Sequence, residues 1–144
     1  MISRLVPDTS VVLKWVRQEE ILANRALSLL QGYMDGRSQI SVPALLGYEF
    51  ANVLRYKADL TTAQVETAVQ ALFDLELEWI APSPTVVRRA VVIAREYDTS
   101  VVDATCAALA EGIGATFVTA DERLARRLTA LPYVSFLGDV EVHA

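Results

Sequence analysis

The chain has 144 residues, 53% of them hydrophobic and 22% charged, and its formal net charge is −5. That length holds one core of ordinary size and not two, and the composition excludes a disordered chain, so a single domain over residues 1–144 is expected. The negative balance excludes nucleic-acid binding by general phosphate attraction, and any such activity has to be local.

The opening segment MISRLVPDTS has neither the long apolar stretch nor the small-residue cleavage site of a secretory signal, and no apolar run approaches the ~20 residues that span a bilayer. A cytoplasmic protein without membrane contact is therefore expected. Within this segment Arg4 to Val6 reads as a strand that leaves its sheet at Pro7, and Asp8 follows it directly. Asp8 has two readings: an N-cap for a helix over Val11 to Arg17, or a ligand-facing acid at the carboxyl end of a parallel strand.

A second amphipathic stretch covers Glu20 to Met34, and Gln39 to Val42 is a strand closed by Pro43. The helix expected over Ala44 to Lys57 carries Glu49 on the same stripe as Leu45, Leu46, Phe50 and Val53. A carboxylate on an inward stripe is costly unless it is paired, protonated or bound to metal. An ion pair with Arg55, or an edge position reaching water, is the alternative to a functional role.

Thr61 and Gln64 have the spacing of a capping box at the start of a helix over Thr62 to Leu75. Glu78 to Ala81 is the third strand, followed by Pro82, and Ser83 with Pro84 marks the N-terminus of a helix reaching Tyr97. Ser100 and Asp103 again have capping-box spacing, here with Asp in the acid position, before a helix over Val101 to Glu111. Asp103 also heads a stripe of small residues, Cys106, Ala107 and Ala110, which lets this helix approach its neighbours closely. The lone Cys106 is read as a small buried residue with no catalytic role.

Thr116 to Thr119 is the fourth strand, and Asp121 stands at its carboxyl end before a helix over Glu122 to Thr129. Thr119 and Glu122 offer a capping box there, and Glu122 with Arg126 an ion pair one turn apart. Val134 to Leu137 is the last strand. Strands alternating with helices throughout imply a parallel sheet of five strands covered on both faces.

Four carboxylates thus occupy four separate contexts, and an α/β sandwich can bring them to one edge of its sheet. Without a His or Cys partner they suit Mg²⁺ or Mn²⁺ and not zinc. The only histidine, His143, is the penultimate residue, which argues against a histidine-based ribonuclease. The 13 basic residues are 11 Arg and 2 Lys, a bias that suits bidentate phosphate contacts. Arg123, Arg126 and Arg127 on one helix, and Arg88, Arg89 and Arg95 on another, read first as solvated faces and second as phosphate contacts. Trp15 and Trp79 read as core anchors.

The segments VPDTSVVLKW, VPALLGYEFANVL and YDTSVVDATCAALAEGIGATFVTADERL, in that order over nearly the whole chain, resemble VapC-type PIN-domain proteins. The resemblance implies a PIN-like three-layer sandwich and an endoribonuclease that hydrolyses phosphodiester bonds with Mg²⁺ or Mn²⁺. It also implies a toxin with a cognate antitoxin partner, in a homodimer. By matching position Asp8, Glu49, Asp103 and Asp121 correspond to the family's metal-binding acids, with Ser10 and Thr119 as the polar residues beside them. One departure is Thr105 and Cys106, where many members have an aromatic residue shortly after the third acid.

Rival assignments lose specific signals. A phosphorelay receiver needs adjacent acids after its first strand and a lysine after its last, but Thr9 follows Asp8 and the only lysines are Lys14 and Lys57. A haloacid-dehalogenase-like phosphatase needs an Asp at position 10, which is Ser10 here. A PIN nuclease of RNA maturation, or a non-catalytic PIN scaffold, shares the same residues and stays open.

Overall fold

The computed structural model describes residues 2–140, so His143 lies outside the described residues. Five parallel strands form the sheet, β1 (Ser3–Pro7), β2 (Ser38–Pro43), β3 (Glu78–Ile80), β4 (Thr116–Thr119) and β5 (Val134–Phe136), in the order β3-β2-β1-β4-β5. Helices α1 (Thr9–Val16), α2 (Ala23–Met34), α3 (Leu45–Arg55), α4 (Thr62–Asp74), α5 (Pro84–Tyr97), α6 (Val101–Ile113) and α7 (Glu122–Arg127) connect them.

Alternation along the inner strands divides the interior in two. Val6 and Phe117 face a core built with Ala90 and Ile93 of α5, Ala107 of α6 and Leu124 of α7. Ile40, Val42 and Val118 face a second core with Val12 and Trp15 of α1, Phe50 of α3 and Leu72 of α4. A sheet buried on both faces is the expected three-layer sandwich. The small residues of α6 do what their size allows: residues 106–110 are all buried, in the core that α5 also lines. Gly114, at φ 68°, ends α6 in the left-handed conformation that glycine adopts without strain. Trp15 is buried and donates its indole N–H to Ala26 O at 2.9 Å, while Trp79 stacks on Phe73 with ring centroids 4.7 Å apart.

Local start signals differ in how far the structure follows them. Thr61 and Gln64 form the full reciprocal box, at 3.2 Å and 2.8 Å, and Ser83 Oγ accepts from Val86 N–H at 3.2 Å. Helix α2 starts at Ala23 instead of Glu20. Lys14 holds the Glu20 carboxylate at 3.2 Å, Leu22 turns the chain at φ 67°, and its carbonyl takes the first helical N–H groups, from Arg25 and Ala26. The box expected from Thr119 and Glu122 is absent, because Asp121 is the N-cap of α7 and accepts from Leu124 N–H at 3.1 Å.

Strand order fixes where a ligand can sit. The chain runs from β1 outward to β2 and β3, then returns to place β4 and β5 on the other side of β1. The connections leave in opposite directions at the carboxyl ends of β1 and β4 and open a crevice there, the place where open α/β sheets bind ligands.

Candidate active site at the β1/β4 switch point

Asp8 and Asp121 flank this crevice. Asp8 stands one residue beyond β1 and ties its backbone N–H to Val118 O at 3.1 Å. It occupies the N-cap position of α1, but its side chain makes no capping bond. The carboxylate instead accepts from two hydroxyls, those of Ser10 and, at 2.6 Å, of the fully buried Thr119. Each hydroxyl also accepts from the loop after β4: Ser10 Oγ from Ala120 N–H at 2.8 Å, Thr119 Oγ1 from Asp121 N–H at 3.1 Å. The segment Asp8 to Ser10 is thus riveted to the end of β4. Capping does not explain Asp8.

Glu49 approaches from α3. It is half-buried and accepts from Thr9 Oγ1 at 3.1 Å, so the hydroxyl between Asp8 and Ser10 orients the second acid. The Arg55 ion pair considered from sequence is not made; the Arg55 guanidinium lies over the Tyr56 ring, 4.5 Å from its centroid. Asp103 is exposed in the first turn of α6. Its backbone N–H donates to Ser100 Oγ at 3.0 Å, but its carboxylate makes no return bond, so only half of a capping box exists. Asp121 is exposed and uses one oxygen as cap.

Electrostatics link the acids in pairs, Asp8 with Asp121 and Glu49 with Asp103. Part of Asp8 meets water, yet its carboxylate is packed round by protein, and burial pushes it up to about 6. The hydroxyls of Ser10 and Thr119 oppose that rise without cancelling it, and the charge of Asp121 adds to it. Burial also raises Glu49, against the Thr9 hydrogen bond and with help from the Asp103 charge. The Cys106 thiol is pushed well up by burial first, with the charges of Asp8, Glu49 and Asp103 adding to the rise. A thiol so held stays protonated at neutral pH and is no nucleophile.

None of the ion pairs among the described residues engages any of the four acids. Nor do three of them, among the described residues, gather into a ready-made metal cage. The donor set is nonetheless all carboxylate and hydroxyl oxygen, with one carboxylate held in a buried place without a compensating cation. That chemistry fits a hydrated Mg²⁺ or Mn²⁺, which takes one or two carboxylates and keeps several waters, and it does not fit a closed zinc site.

The sequence pattern of the PIN domain family matches residues 5–128. The chain belongs to the PIN domain family. Solved structures with the fold of this PIN domain share little of its sequence. A toxin–antitoxin complex from Klebsiella pneumoniae is 15% identical, with TM-score 0.68 over 94% of this chain and 99% of that one. The sarcin-ricin-loop-cleaving toxin VapC20 of Mycobacterium tuberculosis is 14% identical, with TM-score 0.67 over 90% and 96%. VapBC2 of Rickettsia felis, bound to promoter DNA, is 14% identical, with TM-score 0.65 over 92% and 96%. No curated protein matches the chain.

Thr9 was missed by sequence reasoning. Its signal was its place between Asp8 and Ser10, but nothing local shows that its hydroxyl reaches α3. Of the six arginines named from sequence, Arg126 pairs with Glu122 at 2.6 Å and Arg89 with Glu111 at 2.6 Å, while Arg127 binds the Asp98 carbonyl.

Proposed function

We propose that this PIN domain is a metal-dependent endoribonuclease and the toxin of a toxin–antitoxin pair. The observation that carries the reading is Asp8, a carboxylate held by the Ser10 and Thr119 hydroxyls at the switch point of the sheet, pushed up to about 6 by burial with the charge of Asp121 adding to it, and in no ion pair among the described residues. A fold stabilises such a group only by neutralising it, and a divalent ion with a phosphodiester is the ligand whose charges fit. Mg²⁺ or Mn²⁺, when bound, supplies an activated water and offsets charge on the scissile phosphate. Asp8, Glu49 and Asp103 are the residues assigned to hold it, and Asp121 to order its waters or hold a second ion.

The rest of the chemistry belongs to the chain. Ser10 and Thr119 donate to the two oxygens of Asp8 and fix the carboxylate plane, so its free lone pairs point where the hydroxyls do not. Thr9 does the same for one oxygen of Glu49. Cys106 and the alanines of α6 are buried in the core that Val6 of β1 also faces, so none of them offers a group to the reaction. No side chain acts as covalent nucleophile.

The toxin assignment, a cognate antitoxin and a homodimer draw support from the likeness to toxin–antitoxin complexes, and RNA as substrate from the likeness to a toxin that cleaves the sarcin-ricin loop. One domain over residues 1–144 and a cytoplasmic location complete the reading; no helix among the described residues is long and apolar enough to cross a membrane. Expression without an antitoxin in a bacterial host tests it. Growth arrest that Asp8→Asn relieves at equal soluble yield is expected, and a harmless wild type at high expression defeats the toxin assignment.

A further inference from the structure

At the amino-terminal ends of β1 and β2 the second core is not closed by apolar side chains. Leu5, Ile40 and Val42 face that core, and by alternation Ser3 and Ser38, register partners on the two strands, face the same way. Across from them α2 presents Ser28 and, one turn on, Gly32, on the helix face that also carries Arg25 and Leu29. Three hydroxyls and a missing side chain thus stand where an apolar layer would finish the packing. They line a cavity of about 290 Å³, with Leu5 and Leu29 as its apolar walls and Val140 on a further side. That is the size of a small ligand pocket, whose usual range begins at about 300 Å³.

One hydroxyl there lacks a partner. Ser38 is 9% exposed, and its Oγ makes no hydrogen bond among the described residues. A buried hydroxyl left unpaired costs stability, so its retention calls for an explanation. It is directed at α2, where a Cβ added to Gly32 would stand 3.5 Å from it. The surrounding charge has one sign. Arg37 lines the cavity and is engaged only by Asp35, through one nitrogen at 3.1 Å in an exposed pair of little strength. Arg25 donates to the carbonyl of Val140 and is in no ion pair among the described residues. No carboxylate among the described residues lines the cavity. Hydroxyl donors beside guanidinium groups, with no acid among them, select an anion, and a phosphate monoester has the oxygens to take several such donors at once.

We propose that the cavity between α2 and the amino-terminal ends of β1 and β2 binds a small organic phosphate, its phosphate on Ser3, Ser38 and Arg37 and its carbon body on Leu5 and Leu29. The occupant supplies the partner that Ser38 lacks and ties α2 to both strands. The site is separate from the acids: Ser3 and Asp8 stand at opposite ends of β1, roughly 17 Å apart at ~3.3 Å per residue. It goes beyond the ribonuclease reading and does not depend on it.

The test uses the full chain in EDTA, so that no metal at the acids can hold phosphate. Phenyl phosphate, inorganic phosphate and uncharged benzyl alcohol are titrated by calorimetry, with thermal melts, into wild type, Ser38→Ala, Arg37→Gln and Gly32→Leu. Phenyl phosphate is expected to bind at millimolar concentration and to raise Tm, inorganic phosphate to bind about tenfold more weakly for want of a body to bury, and benzyl alcohol not to bind. Ser38→Ala should melt no lower than wild type without the probe, because the hydroxyl it removes is unpaired, yet bind phenyl phosphate at least about tenfold more weakly. A serine with a merely structural role would not show that split. Arg37→Gln should lose about as much, and Gly32→Leu, which puts a side chain into the cavity, should abolish binding. Absence of phenyl phosphate binding to wild type, or unchanged binding by Ser38→Ala and Arg37→Gln, overturns the site. Inorganic phosphate that binds as tightly as phenyl phosphate overturns the organic ligand and leaves a bare anion site. If Gly32→Leu does not fold, the other two variants decide.

Discussion

Asp8→Asn should make the metal-free protein more stable at pH 7.5, although it removes one of the two hydrogen bonds that the carboxylate accepts from Ser10 and Thr119. The Asp8 carboxyl sits at about 6 in the fold against 3.8 ordinarily, and a difference of about 2 units at ~1.4 kcal/mol each costs the ionised fold about 3 kcal/mol. The folded-state value is raised, so the stabilising contribution is fully present below about pH 4 and is lost as pH rises through about 6. Asparagine keeps the shape and one acceptor, and losing the other to an amide costs about 1 kcal/mol. With part of Asp8 meeting water, a net gain of about 1 to 2 kcal/mol remains, or about 3 to 8 °C in Tm for a chain of this size. Thermal melts in EDTA at pH 7.5 and pH 4 measure it, and the gain should vanish at pH 4, where wild-type Asp8 is already protonated. Mg²⁺ reverses the order, since a ligand at a hundred times its Kd stabilises only the protein that binds it, by about 2.7 kcal/mol. A variant less stable than wild type by the same margin at both pH values would show that Asp8 is a structural hydrogen-bonding residue, and the electrostatic argument would fall.

Asp103→Asn should leave apo stability within about 0.5 kcal/mol of wild type, because Ser100 Oγ caps through the backbone N–H and the carboxylate returns nothing; Ser100→Ala should cost about 1 kcal/mol by the same melts. If Asp103→Asn loses that much while its response to Mg²⁺ matches wild type, Asp103 is a cap. Thr9→Val should lower RNA cleavage several-fold and raise the Mg²⁺ concentration needed for half-maximal rate, with Thr9→Ser restoring both; a fall in soluble yield without a change in metal requirement would make Thr9 merely structural. Cys106, buried with its thiol pushed up, should resist disulfide-exchange reagents at pH 8 until denaturant is added, and rapid labelling of the native protein would contradict its burial in the core.

Much of this arrangement was legible in the sequence because its signals are local. Pro7 and Pro43 mark the strand exits, Ser83 and Pro84 the start of α5, and the small residues after Asp103 the close packing of α6. Asp8 and Asp121 could be set at carboxyl ends of strands from order alone. The misses are contacts between residues distant in sequence or choices between near-equal local partners. Thr9 reaches Glu49 across 40 positions, and periodicity on α3 says nothing of what meets it. Thr119 was a plausible cap for α7 until its hydroxyl was committed to Asp8, leaving Asp121 to cap. Leu22 adopts a backbone conformation unusual for leucine, held by the packing of α1 against α2, so no propensity could have put the start of α2 at Ala23.

The central claim is that these acids make a metal-dependent ribonuclease. Incubating the purified full chain with a panel of structured and unstructured RNAs, with Mg²⁺, with Mn²⁺ and with excess EDTA, tests it most directly. Cleavage is expected with either metal, none with EDTA, and none by Asp8→Asn under any condition, with each substitution judged on protein whose melt shows it folded. Cleavage that persists undiminished in EDTA, or in folded Asp8→Asn, would contradict the account.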